Sequence, residues 1–192
     1  MKTQLQINKD SFMLKHFFTI AVLIAGFNAN AQVHNSQVDP VSKALAQAQF
    51  KDLYNQGSYL KEYNPAYKSG ILVNIWATWC APCVKELPSL FRLQSAYPDL
   101  TVITLSIDRH EKIVKNFFKR QRIPNSYVHL IDKNGSVVKQ LGYTKVPTTL
   151  LIDNKGKIVE TYIGERKWDS PHMIAKIKAS LEQAAKDRTY YY

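Results

Sequence analysis

Downstream of Gly70 the chain alternates between two hydrophobic rhythms. The compact apolar runs ILVNIW (71–76), TVITLSID (101–108), YVHLID (127–132) and TTLLID (148–153) are rich in β-branched residues and read as buried strands. Between them, apolar residues recur every three or four positions, the helical repeat. Val84, Leu87, Leu90, Phe91 and Leu93 predict a helix from Ala81 to about Tyr97. Pro88 lies inside it, and its missing N–H predicts a kink. Ile113, Val114, Phe117 and Phe118 mark one face of a second helix within HEKIVKNFFKRQRI (110–123). The turn Lys133-Asn134-Gly135 precedes a short helix from Val137 to Leu141. KIVETYI (157–163) pairs with TTLLID across Asn154-Lys155-Gly156 as a hairpin. A last helix from Asp169 to Arg188, with Pro171 near its start, turns Met173, Ile174, Ile177 and Leu181 inward.

Strands alternating with helices predict an α/β fold. Its central mixed sheet carries helices on both faces, and the terminal hairpin adds an antiparallel pair. Residues 32–69 are harder to assign and form an N-terminal extension of uncertain structure. VSKALAQAQFKDLY has helical spacing at Val41, Leu45, Ala48 and Leu53, but the turn residues Asn55-Gln56-Gly57-Ser58 fit short strands equally well. Tyr190-Tyr191-Tyr192 reads as a frayed tail.

Residues 1–31 read as a secretory signal. Lys15 and His16 precede the apolar run Phe17–Phe27, and Ala29-Asn30-Ala31 supplies small residues for cleavage before Gln32. The run falls short of the ~20 residues that span a bilayer, which favours cleavage over a retained anchor. Met13 is an alternative start. Export, to a periplasm-like space, sets the chain among disulfides. Its 26 Lys+Arg against 15 Asp+Glu give a formal net charge of +11. The cations are scattered singly rather than gathered in a stripe, which argues for solubility and against a nucleic-acid partner.

Cys80 and Cys83 are the only cysteines, and they fall within WATWCAPCVKELP (76–88). Following a strand, they occupy the first turn of a helix, where unpaired N–H groups and the helix dipole favour a thiolate. That pattern makes Cys80 the exposed attacking thiol and Cys83 the thiol that resolves a mixed disulfide. A zinc site would need about four ligands, and no His pair stands at ligand spacing. A purely structural disulfide would close almost no loop. His110, His129 and His172 stand singly and read as surface or core residues, and Asp108 reads as a turn or cap residue.

WCAPC after an apolar strand, with VPTT and LLID further on, resembles the thioredoxin superfamily. More narrowly, NIWATWCAPCVKELP resembles the exported TlpA/ResA-like thiol-disulfide oxidoreductases. The resemblance covers about residues 70 to 185 and implies a thioredoxin-like domain over 70–189. It implies a cis bond before Pro147, the alternative being an ordinary trans loop proline, with Val146 offering backbone to an extended partner. It sets Trp79 on the active-site surface, Trp76 in the core, and Pro82 between the cysteines as a tuner of their redox balance. Asn74 replaces the buried aspartate of cytosolic thioredoxin. Glu86 matches an acidic residue of this group that relays protons to the thiols; a solvated surface glutamate is the alternative. The extra length between Cys83 and Pro147, around HEKIVKNFFKRQRIPNSY, matches the group's strand-helix insert.

The implied function is an exported dithiol reductase of oxidised client proteins, recharged by a membrane dithiol reductase, with cytochrome c maturation as a typical setting. No cofactor or metal is implied. A dithiol oxidase or isomerase of secreted proteins, and a non-catalytic binding module, are the alternatives. The Ala81-Pro82 dipeptide does not choose between the directions of electron flow.

Overall fold

The computed structural model describes residues 39–189 except 55, 65–67 and 124–126. The signal expected at 1–31, the start of the extension, residue 55 of its turn and the tyrosine tail lie outside the described residues. Seven strands form one sheet in the order β2-β1-β5-β4-β3-β6-β7. They are β1 (Gln49–Asp52), β2 (Gly57–Tyr59), β3 (Gly70–Trp76), β4 (Leu100–Ser106), β5 (Val128–Ile131), β6 (Thr148–Asp153) and β7 (Ile158–Ile163). The helices are α1 (Pro40–Gln47), α2 (Ala81–Ala96), α3 (Glu111–Gln121), α4 (Ser136–Gln140) and α5 (Pro171–Thr189), with short 3-10 turns at Leu60–Tyr63 and Lys133–Gly135.

β3, β4 and β5 run parallel, while β6 and β7 on one side and β1 and β2 on the other are antiparallel. The sheet is therefore mixed, as the strand and helix pattern predicts. Burial on both faces explains the near-continuous apolar runs of the central strands, since neither set of alternate side chains meets water. Leu72 and Trp76 face a cluster that also holds Leu87, Leu90 and Leu93 of α2, Val114, Phe117 and Phe118 of α3, and Ile177 and Leu181 of α5. Ile71, Val73 and Ile75 face the other side, with Leu45 of α1, Leu60 and Val138 of α4. The segment 110–131 supplies α3 and β5, and β5 separates β4 from β1. Gly70 sits where β3 and β6 approach closely: a Cβ there would lie 2.3 Å from the carbonyl oxygen of Ile152.

Two sequence expectations need adjustment. The helical spacing from Val41 ends at Gln47, and the chain turns into β1 at the sheet edge. Val41 faces outward while Ser42 is buried, because Asp39 caps α1 through Ser42 N (2.9 Å) and the Ser42 hydroxyl also accepts the Ile158 N–H (2.9 Å). Ile113 is exposed, since on α3 the inward row is Val114, Phe117 and Phe118, and a neighbour one residue away points about 100° off. Pro88 lies inside the helix that runs from Ala81 to Ala96, where the sequence places it. Among the described residues no helix is long and apolar enough to cross a membrane.

Candidate active site

β3 ends at Trp76 and α2 begins at Ala81, so residues 77–80 deliver Cys80 to the helix N-terminus. Cys80 is the N-cap, and Pro82 sits in the first turn, where a missing N–H costs nothing. Cys80 and Cys83 are joined in a disulfide with their Cα atoms 5.3 Å apart. The Cys83 N–H points at Cys80 Sγ from 3.3 Å. Once the disulfide is reduced, that donor and the helix N-terminus favour a Cys80 thiolate. In the oxidised state both sulfurs are largely covered. Cys80 keeps 6% exposure and Cys83 none, so the expected exposure of Cys80 amounts to a narrow window. The asymmetry still leaves Cys80 as the one an outside sulfur can reach.

Around that window the surface is apolar. Trp79 is 68% exposed, and Ala81 and Pro82 are exposed beside it. Trp76 is fully buried, stacked on Phe118 and tilted against Phe117. The Val146–Pro147 peptide bond is cis. Val146 packs against the cluster that contains both cysteines, and among the described residues its N–H and carbonyl have no backbone partner. Pro147 O, by contrast, accepts the Gly164 N–H at 2.9 Å.

Glu86 lies one helical turn beyond Cys83, which sets the two on one face of α2. It is 2% exposed, so it is not a solvated surface residue. Oε1 accepts from the Asn74 amide at 2.7 Å; Oε2 accepts from the Arg166 N–H at 2.9 Å and the Trp168 indole at 3.1 Å. Burial pushes its pKa up, and the three donors, which favour the charged form, offset this only in part. Asn74 faces the same side of β3 as Leu72 and Trp76, by strand alternation, and its amide also donates to Thr149 Oγ1 at 2.9 Å.

Two residues of this site carry no redox role in the sequence reading. Trp168, fully buried just before α5, reads as another core aromatic until its indole is seen on Glu86. Asp108, with the single sequence signal of ending a strand, reaches back to the loop before Cys80: Thr78 N–H and hydroxyl both donate to it. The histidines stay apart from the cysteines. His110 and His172 are exposed at helix starts, and His129 is buried with Nδ1 2.7 Å from Thr104 Oγ1, ring to ring with Phe118. Among the described residues no three His, Cys, Asp or Glu side chains gather as a metal site.

The sequence profile of the redoxin family matches residues 41–181. Thiol-disulfide oxidoreductase ResA of Bacillus thuringiensis subsp. konkukian is 34% identical over 117 residues, which is 60% of this chain. The match spans 65% of that relative, a little under two thirds of its length. Sporulation thiol-disulfide oxidoreductase A of Bacillus subtilis is 27% identical over 157 residues, 79% of this chain and 89% of its own. Among solved structures, the exposed lipoprotein thioredoxin of Streptococcus pneumoniae superposes with a TM-score of 0.55 at 24% identity, covering 69% of this chain and 98% of that one. StoA from Bacillus subtilis gives 0.52 at 22%, covering 69% and 94%. At those identities the likeness is one of fold.

Proposed function

Because the chain belongs to the redoxin family, with a TlpA/ResA-like thioredoxin fold, we propose that it is a thiol-disulfide oxidoreductase that reduces disulfides of exported proteins. One observation carries the proposal: a Cys80–Cys83 disulfide at the N-terminus of α2, with a buried carboxyl of raised pKa one turn further on. The names of the relatives, ResA and sporulation thiol-disulfide oxidoreductase A, support the same chemistry.

In the reduced protein the Cys80 thiolate attacks one sulfur of a client disulfide. The Cys80–client S–S bond forms, the client S–S bond breaks, and one client thiolate leaves and takes a proton from water. Glu86, as carboxylate, accepts the Cys83 proton. The Cys83 thiolate then attacks Cys80 Sγ, forming the Cys80–Cys83 disulfide and expelling the second client thiolate. Two electrons pass to the client. Trp79, Pro82, Val146 and Pro147 form the client surface, with the Val146 backbone pairing to an extended segment. A membrane dithiol reductase returns the electrons and Glu86 returns its proton. Residues 1–31 direct export to the periplasm by a cleaved signal, residues 32–69 form an N-terminal extension to the thioredoxin-like domain at 70–189, and cytochrome c maturation is the setting for the clients.

The test is a trap. Cys83→Ser removes the resolving thiol, so exported client proteins accumulate in a covalent adduct that reductant releases on a non-reducing gel. Cys80→Ser gives no adduct. Failure of Cys83→Ser to hold any partner would remove the enzymatic reading and leave a binding module.

A further inference from the structure

Asp108 is 2% exposed and follows the end of β4. Its Oδ2 accepts from the Thr78 N–H at 3.0 Å and from the Ser106 hydroxyl at 2.7 Å; its Oδ1 accepts from the Thr78 hydroxyl at 2.8 Å. The Ser106 hydroxyl in turn accepts the Asp108 N–H at 3.0 Å. A residue that only terminated β4 would direct its side chain to its own strand end. This one gives two of its three side-chain bonds to Thr78, two residues before Cys80 on another strand's exit loop.

That loop has little else to hold it. The Cys80 N–H donates to Ala77 O at 3.1 Å, and Trp76 O accepts the Ile107 N–H at 2.9 Å. Among the described residues no other side chain hydrogen-bonds to residues 77–79. The loop sets where Cys80 Sγ stands relative to the first N–H groups of α2 and where Trp79 meets solvent. Displacing a reacting group by about 1 Å costs on the order of 100-fold in rate.

We propose that Asp108 is a positioning residue for the redox dithiol, clamping the Thr78–Cys80 turn so that the Cys80 sulfur stays on the helix N-terminus. The proposal deepens the thiol-disulfide function and rests on it. The clamp works through acceptor oxygens, not through charge. A negative charge near Cys80 would by itself disfavour the thiolate, so the two explanations predict opposite effects when the carboxylate is removed.

The experiment measures iodoacetamide alkylation of Cys80 in reduced protein against pH, in the full chain and in Asp108→Ala, Asp108→Asn and Thr78→Val. Asp108→Ala is expected to slow alkylation at pH 7 about tenfold, with the thiolate midpoint about one unit higher. Asp108→Asn keeps an oxygen for the Thr78 N–H and an amide for its hydroxyl, so it restores the rate to within roughly threefold. Thr78→Val loses only the hydroxyl bond and slows alkylation by roughly threefold. Alkylation of folded Asp108→Ala at or above the wild-type rate would overturn the clamp; where that variant does not fold, a wild-type rate in Thr78→Val would do so. Alkylation reads Cys80 whether or not the protein turns over disulfides, so failure of the proposed function shows separately, as wild-type protein that alkylates but reduces no client.

Discussion

Trp168 donates its indole N–H to Oε2 of Glu86 at 3.1 Å, joining the segment that enters α5 to the helix that carries both cysteines. Asn74 and the Arg166 N–H complete the shell, so three donors serve one buried carboxyl. Burial raises its pKa and the donors lower it, with burial prevailing. The acidity of Glu86 is thus a balance that loss of a single donor shifts.

Trp168→Phe keeps most of the ring volume and deletes that donor. The charged form of Glu86 loses support, so its pKa rises further, and the acidic limb of the pH–rate profile for disulfide reduction moves to higher pH. Stability falls by ~1.5–3 kcal/mol, the range for a hydrogen bond to a charged group. Stopped-flow rates across pH and urea denaturation read the two effects. An unmoved acidic limb would detach Trp168 from the proton chemistry.

Glu86→Gln tests the same balance from the other side. Because the folded pKa is raised, native protein holds the proton more tightly than unfolded chain does. The resulting stability is fully present below the ordinary carboxylate pKa and is lost as pH rises through the raised folded value. A glutamine does not titrate, so its stability profile is flatter over that window and gains on wild type toward alkaline pH. Denaturation midpoints at a series of pH values measure this; parallel profiles would mean that Glu86 does not titrate in the window.

Asn74→Asp places a second carboxyl where the amide now donates to Glu86 at 2.7 Å. Two carboxylates at that distance cannot both ionise, so one stays protonated well above its usual range. The expected cost is ~3–5 kcal/mol at pH 8, as for an uncompensated buried charge, and less at pH 5. Melting temperatures at the two pH values decide it, and an equal loss at both would contradict the facing geometry.

Trp79 is exposed, so Trp79→Ala is expected to change stability by less than ~0.5 kcal/mol. Its ring is client surface in the proposed mechanism, and its loss raises KM for a protein disulfide roughly tenfold, the equivalent of ~1.4 kcal/mol of contact. Steady-state reduction of a protein substrate, alongside thermal unfolding, separates the two.

The strands and helices after Gly70 are legible in the sequence because each repeats its apolar residues with the period of its own geometry. Residues 40–63 are not, since strands of three and four residues are too short to show a period and a serine bonded to the Asp39 cap occupies a buried slot of α1. The cysteines announce themselves by spacing and isolation. Glu86 is visible only through the family resemblance, because no pattern within α2 distinguishes a buried glutamate from a solvated one. Trp168 and the Arg166 N–H are beyond sequence reading: they reach Glu86 from 82 and 80 residues away, one through an indole and one through a main-chain donor. Asp108 gives a faint signal, a carboxylate at a strand end, without naming the loop it holds.

The central claim is that electrons flow from Cys80 and Cys83 to client disulfides. The equilibrium reduction potential of this pair, titrated against dithiothreitol or glutathione buffers, tests it most directly. A value near or below the ~−270 mV of thioredoxin is predicted, that of a reductase with its own electron supply. A value near the ~−120 mV of a strong oxidant would contradict it and make the protein an oxidase of its clients.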